Sequence, residues 1–365
     1  MIIYIFVFII SIFFVFLAEK SINNKLLFVF FSLVSILVPS LIAGLRDETV
    51  GTDIEIYIQE VLSNLQYGII FDSATELTVA FVVFIGYYFS HTLFGVLFSL
   101  SFFSISVVYV AIFLLRKYVK MYYAMFIYLF LFYNESLNIM RQHVALSLSF
   151  LLLSLIIRKY YKTAIPICVL MLMSHNTAFF VLFPISVFCY LVHKKGVVDK
   201  CYYLSFVVLV LLIVGIDLFI NISVSIGLIT EKYLMYLSSE EERESGLPLS
   251  TLFLPVLCFV VFNFPRKNNM KRSVLSNTYL FFSYAIIVSR FASLITFWAA
   301  RMGLYFNIFN VLLLPSMILY KHRSYRFYYR IILTGLVVFN WYWSIVVNNN
   351  NGTVPYKSSL LSSFL

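Results

Sequence analysis

Long apolar runs recur along this chain, cut off from one another by short clusters of lysine and arginine, and that pattern leaves few folds open. The runs fall at 1–18, 26–45, 78–115, 121–133, 141–157, 163–173, 177–191, 201–222, 251–264, 276–295, 303–320 and 331–347. Hydrophobic residues make up 62% of the chain and charged ones 12%, a balance that excludes an ordinary soluble domain. No alternating pattern of barrel strands appears, and backbone exposed to lipid must satisfy its own hydrogen bonds, which leaves helices. The expected class is therefore an all-α polytopic integral membrane protein, one domain over 1–365 with about 10–12 membrane helices.

Run 78–115 is broken near Ser90 and His91 and reads as an interfacial helix followed by a span. Paired tyrosines such as Tyr87–Tyr88, Tyr122–Tyr123, Tyr160–Tyr161 and Tyr328–Tyr329 read as interface anchors. The first run has neither a basic lead-in nor a small-residue cleavage site, so it is expected to be a retained span.

Charge assigns the sides. The loops at 19–25, 116–120, 158–162, 193–200, 265–272 and 321–330 hold 19 of the 26 Lys and Arg and only Glu19 and Asp199 as acids, so they are expected in the cytoplasm. Alternation then places both termini and two large acidic loops, approximately 46–77 and 223–250, outside. Seven basic residues remain on that outer side: Arg46, Arg141, Lys232, Arg243, Arg290, Arg301 and Lys357. Lys232 and Arg243 sit among glutamates and read as solvated loop charges. Arg46, Arg141, Arg290 and Arg301 gather at the outer ends of spans, where the rule disfavours them. Each alone is served by snorkelling or by pairing with an acid, Asp47 or Asp53 for Arg46 and Glu135 for Arg141. Together they suit an anion, because guanidinium forks match phosphate and stay ionised when buried.

Residues 138–176 hold the densest chemistry. Arg141, Gln142, His143 and His175 lie inside or beside some of the most apolar sequence, and ionisable groups at such depth are expensive. With Arg141 opening a helix, Ala145 and Ser149 fall one and two turns on along the same face, letting a neighbouring helix approach. His175 occupies a Ser-His-Asn break between two runs whose far ends are both basic, which puts it at the bottom of a hairpin or re-entrant turn. His143 and His91 read as packing or interface residues, and Asp217 as a weaker candidate for a relay. Gly51, Thr52 and Asp53 form a turn in which Asp53 caps a helix carrying Tyr57 one turn on. Cys168, Cys189, Cys201 and Cys258 are scattered singly, which argues against a disulfide or metal site. No nucleotide-binding loop, zinc motif or serine elbow is present. The net charge of +10 is a topology signal, and no nucleic-acid partner is expected.

Taken together, LRDETVGTDIEIY, NIMRQHVALSL and the break at His175 resemble the EpsG-like family of Wzy-type polysaccharide polymerases. Arg46, Val50, Gly51, Thr52, Asp53 and Tyr57 match one family stretch and Asn138, Arg141, Gln142, Val144 and Ala145 another. Arg301 with Tyr305, and Pro355-Tyr356-Lys357 near the end, match later points. The resemblance covers nearly the whole chain. It implies a bacterial inner-membrane glycosyltransferase making O-antigen, capsule or exopolysaccharide, whose substrate is an oligosaccharide repeat unit on undecaprenyl diphosphate. It also implies a flippase and a chain-length regulator as partners, and membrane lipid as surroundings.

The activated diphosphate requires charge stabilisation and an oriented hydroxyl, with no cofactor or metal expected. Arg141, Arg290 and Arg301 are then the clamp candidates. His175 is the candidate general base or hydrogen-bond donor, with Asp53 as rival base. Arg46, Thr52, Tyr57 and Gln142 would line the sugar or diphosphate side. The residues alone leave open a flippase of the same lipid-linked units, an O-antigen ligase and, less well supported, a membrane acyltransferase. No internal repeat of the transporter kind is evident.

Overall fold

The computed structural model describes residues 1–56, 61–67, 76–175, 274–293, 297–320 and 323–358, with isolated stretches between 177 and 260, chiefly 215–225. The described residues form helices and turns and no strand. They divide into two compact units, Met1–Ala178 with Leu314–Leu365, and Phe179–Leu313. Among the described residues six helical stretches are long and apolar enough to cross a membrane, including Ile2–Lys20 (α1), Lys25–Gly44 (α2), Leu93–Leu114 (α6) and Met140–Ile157 (α8), while Ile54–Ile56 (α3) and Ser63–Gln66 (α4) are short helical turns after α2. The chain is a polytopic all-helical membrane protein.

In the first unit, Met121–Ser136 (α7) and α8 are buried almost throughout. Around them pack α1, α2, α6, Tyr161–Leu172 (α9) and Arg326–Trp341, the last helix before the C-terminal tail. On α1, Ile2, Phe6, Ile9 and Phe13 recur at helical spacing and are exposed, an apolar stripe suited to lipid. Inward, Phe8 of α1 packs edge-on against Phe130 and Tyr133 of α7. Polar side chains cross-link the helices: Tyr133 donates to the Pro39 carbonyl at 2.7 Å, and Ser32 and Tyr109 hydroxyls meet at 2.6 Å. Pro39 has no N–H to give the Ser35 carbonyl one turn back, and Ser11 Oγ of α1 donates to that oxygen at 2.7 Å instead.

The run at 78–115 does break where expected, at His91, whose φ of 52° turns the chain. The first part, Leu77–Ser90 (α5), differs from the expected interfacial helix: it folds back along α6 as a helical hairpin. The reason is close backbone approach, since a Cβ on Gly86 would run into the Gly95 carbonyl and one on Gly95 into that of Gly86.

The two ends of this unit differ in kind. At one end Lys120 pairs with Glu19 at 3.3 Å, and Tyr123 donates to the Arg330 carbonyl at 3.4 Å, joining the basic loops at 19–25, 116–120 and 321–330. The opposite end carries the 46–53 loop, the α7–α8 turn, the end of α9 and the tail.

In the second unit, Ile216–Ser225 (α10), Val274–Ala292 (α11) and Phe297–Asn307 (α12) are described, followed by Asn310–Tyr320 (α13), which crosses the boundary between units. We label the last helix, Arg326–Trp341, α14. Gly303 lets α12 lie against Ser289 of α11.

Candidate active site

The end of the first unit opposite the basic loops is built around the start of α8. Asn138, at the turn from α7, bridges two distant segments: its Oδ1 accepts the Thr52 backbone N–H at 3.1 Å and its Nδ2 donates to the Asn351 carbonyl at 2.7 Å. Gly51 has φ of 108°, and a Cβ there would meet Asn138 Oδ1 at 2.6 Å, so the turn requires glycine for both conformation and space. The C-terminal tail closes the arrangement. Gly51 N–H donates to the Gly352 carbonyl at 3.0 Å and Asp47 N–H to that of Lys357 at 2.9 Å. Thr353 is fully buried, its carbonyl accepting from Tyr4 at 2.9 Å and its hydroxyl from Asn134 Nδ2 at 2.9 Å. Asn134 Oδ1 accepts in turn from Trp341 Nε1 at 2.9 Å. Tyr356 donates to the Ile42 carbonyl at 3.0 Å, and burial pushes its phenol up to about 12 against smaller opposite pulls from Ser358 and the Arg46 charge. The neutral phenol is what that hydrogen bond needs.

Arg46 leaves α2 and turns inward. It is 5% exposed, and its Nη2 lies 3.2 Å from Met140 Sδ. It lines a narrow pocket with Ser101, Ser104, Ser136 and Met140 that has free space for about one water. Thr52 is exposed, its hydroxyl donating to Asp53 at 3.0 Å. Gln142 is buried. His143 is buried between helices, its Nε2 3.1 Å from the Tyr128 hydroxyl, a packing role.

Arg141 points elsewhere. Its Nη1 lies 4.0 Å from Oε2 of Glu76, the residue that precedes α5, with the side chains 32% and 11% exposed. Two residues on, Thr78 fastens α5 to the last turn of α9, its N–H donating to the Met173 carbonyl at 3.0 Å and its hydroxyl to the Leu170 carbonyl at 2.9 Å. His175 follows directly. Its Nδ1 accepts the Thr177 N–H at 3.2 Å and faces the Thr177 hydroxyl at 2.7 Å. Because a backbone N–H is always a donor, the neutral ring carries its proton on Nε2.

The structure thus brings Arg46, Thr52, Asp53, Arg141, Gln142 and His175 to one end of one unit. In the second unit, Arg290 in the last turn of α11 and Arg301 in α12 flank the short connection between those helices, both half-buried. Tyr57 and Asn176 lie outside the described residues, as do the expected acidic segment at 231–249 and the basic loops at 193–200 and 265–272. Glu76 was missed by the sequence reading. Its one signal was its place as the last acid before an apolar run, the position that caps a helix.

Fold and site together define a polytopic membrane protein with cationic and polar side chains sunk at one end of a helical bundle. The chain belongs to the EpsG family, whose model matches residues 29–358, and that family is of the Wzy-like polysaccharide polymerase type. Membership supports a role in polysaccharide biosynthesis and a glycosyltransferase-like polymerase activity. No curated protein and no solved structure matches the chain.

Proposed function

We propose that the chain is a surface-polysaccharide polymerase that transfers the growing glycan from undecaprenyl diphosphate onto the non-reducing end of a new lipid-linked repeat unit, at the outer face of the bacterial plasma membrane. The observation that carries this reading is that Arg141 pairs with Glu76 at the start of α5, which Thr78 ties to the end of α9 just before His175, at the end away from the basic loops, in a chain of the EpsG family. Glycosyl transfer from a diphosphate develops negative charge on the leaving oxygen, and prepositioned donors stabilise it without reorganising. Arg141 and the Nε2–H of His175 supply such donors; in the second unit Arg290 and Arg301 are anion-binding candidates in their own right. The turn at 50–53 and the tail hold the surrounding wall, with Asp53 and Thr52 on the accessible side. Arg46 is buried deeper and acts on the site through Met140 and the tail.

Deleting the gene in its source strain and resolving surface glycans on a gel tests the reading, with the wild-type gene returned as control. Collapse of the ladder to core plus one repeat is expected, since single units are still flipped and ligated. Loss of the single-repeat band as well points to a flippase or ligase, and an unchanged ladder overturns the reading. Arg141→Ala and His175→Ala, at normal membrane abundance, are expected to reproduce the collapse.

A further inference from the structure

We propose that Glu76 is the general base that takes the proton from the acceptor hydroxyl; the proposal rests on the polymerase reading above. With Nδ1 of His175 occupied by Thr177 and its proton on Nε2, the imidazole is arranged as a donor, and the site still needs a group to receive a proton. Asp53, the other carboxylate weighed, is turned to the Thr52 hydroxyl on an exposed loop. Glu76 is better placed. Its side chain is 11% exposed, its Oε2 is buried, and Arg141 Nη1 lies 4.0 Å from that oxygen. Two residues on, Thr78 holds the start of α5 by two bonds to the last turn of α9, which also leads into His175. One carboxylate thus stands beside the arginine and next to the segment that aims the histidine. A guanidinium has five donors, more than one carboxylate uses, so Arg141 can orient Glu76 and contact a diphosphate oxygen together.

The chemistry balances without a further reactant. The acceptor oxygen attacks the anomeric carbon of the donor sugar, forming the new glycosidic C–O bond. The bond from that carbon to the diphosphate oxygen breaks, and its electron pair stays on the lipid diphosphate, which Arg141 and His175 stabilise. The hydroxyl proton passes to a Glu76 carboxylate oxygen and then to water, and the site is restored.

The test uses the full-length purified chain and lipid-linked repeat units extracted from the deletion strain, with elongation followed by mass spectrometry. Glu76→Gln keeps size and polarity and removes the base. A rate loss of about 100- to 10,000-fold is expected, with the KM for the extracted units changed by less than about threefold. Glu76→Asp, one methylene short, is expected to fall between, and decides the matter if the glutamine variant does not accumulate. A purely structural ion pair behaves otherwise: added formate is expected to return part of the lost rate to Glu76→Gly by replacing the missing base, a recovery that a carboxylate needed only to hold Arg141 would not show. Near-wild-type turnover in Glu76→Gln, or a Glu76→Gly rate that formate does not raise, overturns the proposal and leaves the polymerase reading standing. Failure of the wild-type chain to elongate the units overturns both.

Discussion

Gly51 shows how one residue's backbone is fixed by a side chain that arrives from far along the sequence. Its φ of 108° is strained for any residue with a Cβ, and Asn138 Oδ1 stands where that Cβ would go. Gly352 is a milder case, with φ of 58° and Thr52 Cγ2 at 3.4 Å from an added Cβ. Gly51→Ala is therefore expected to cost about 2–3 kcal/mol and Gly352→Ala about 1 kcal/mol, read as an ordered fall in thermal midpoint in detergent. Equal effects would mean that the Asn138 contact is not what excludes a side chain. The sequence displayed Gly51 as a turn residue and Asn138 as a motif residue, but not that one demands the other, because contacts across such separations leave no local pattern. Glu76 was illegible for the same reason: its partner Arg141 is on another helix, and the acid nearest that arginine in sequence is Glu135.

Helices as units were far more legible, because length and hydropathy determine what can span. α1, α2, α7, α8 and α9 begin and end within a few residues of the expected runs. What sequence could not show is how a helix end is completed by its neighbours. Pro39 leaves the Ser35 carbonyl without its intrahelical donor, and Ser11 provides one from α1. Ser11→Ala is expected to cost about 0.6–1.7 kcal/mol in the wild-type chain and almost nothing in a Pro39→Ala background, where residue 39 donates its own N–H. Additive effects in that double-mutant cycle would show that the serine acts on something else. The tail is the larger example. Its run of asparagines reads as a polar end, yet Thr353 is fully buried and residues 349–357 make backbone or side-chain bonds to α1, α2, α7, the 46–53 loop and the α7–α8 turn. Removing 349–365 deletes no span, so the chain is expected to reach the membrane in normal amount with a lowered midpoint and no polymer. Polymer at wild-type length would mean that the 46–53 loop holds its shape unaided.

At the scale of the whole molecule, the expected sidedness has a structural counterpart inside the first unit. The Glu19–Lys120 pair and the Tyr123–Arg330 contact gather basic loops at one end, while Arg46, Arg141 and His175 collect at the other. Sequence could sort these groups into two expected sides because loop charge alone biases insertion. It could not show which outer residues meet, since that depends on how helices pack. If the basic end is cytoplasmic, Lys357 of the tail faces outward and Lys117 faces inward; both are exposed. Single cysteines at these positions report the orientation, introduced into a chain whose Cys168, Cys189, Cys201 and Cys258 have been replaced by serine. A membrane-impermeant maleimide applied to intact cells is expected to label Lys357→Cys, and to label Lys117→Cys only after the membrane is opened. The reverse pattern would place the site in the cytoplasm, where an arginine clamp for an outward-presented lipid diphosphate has no substrate to hold, and would remove the polymerase reading along with the topology.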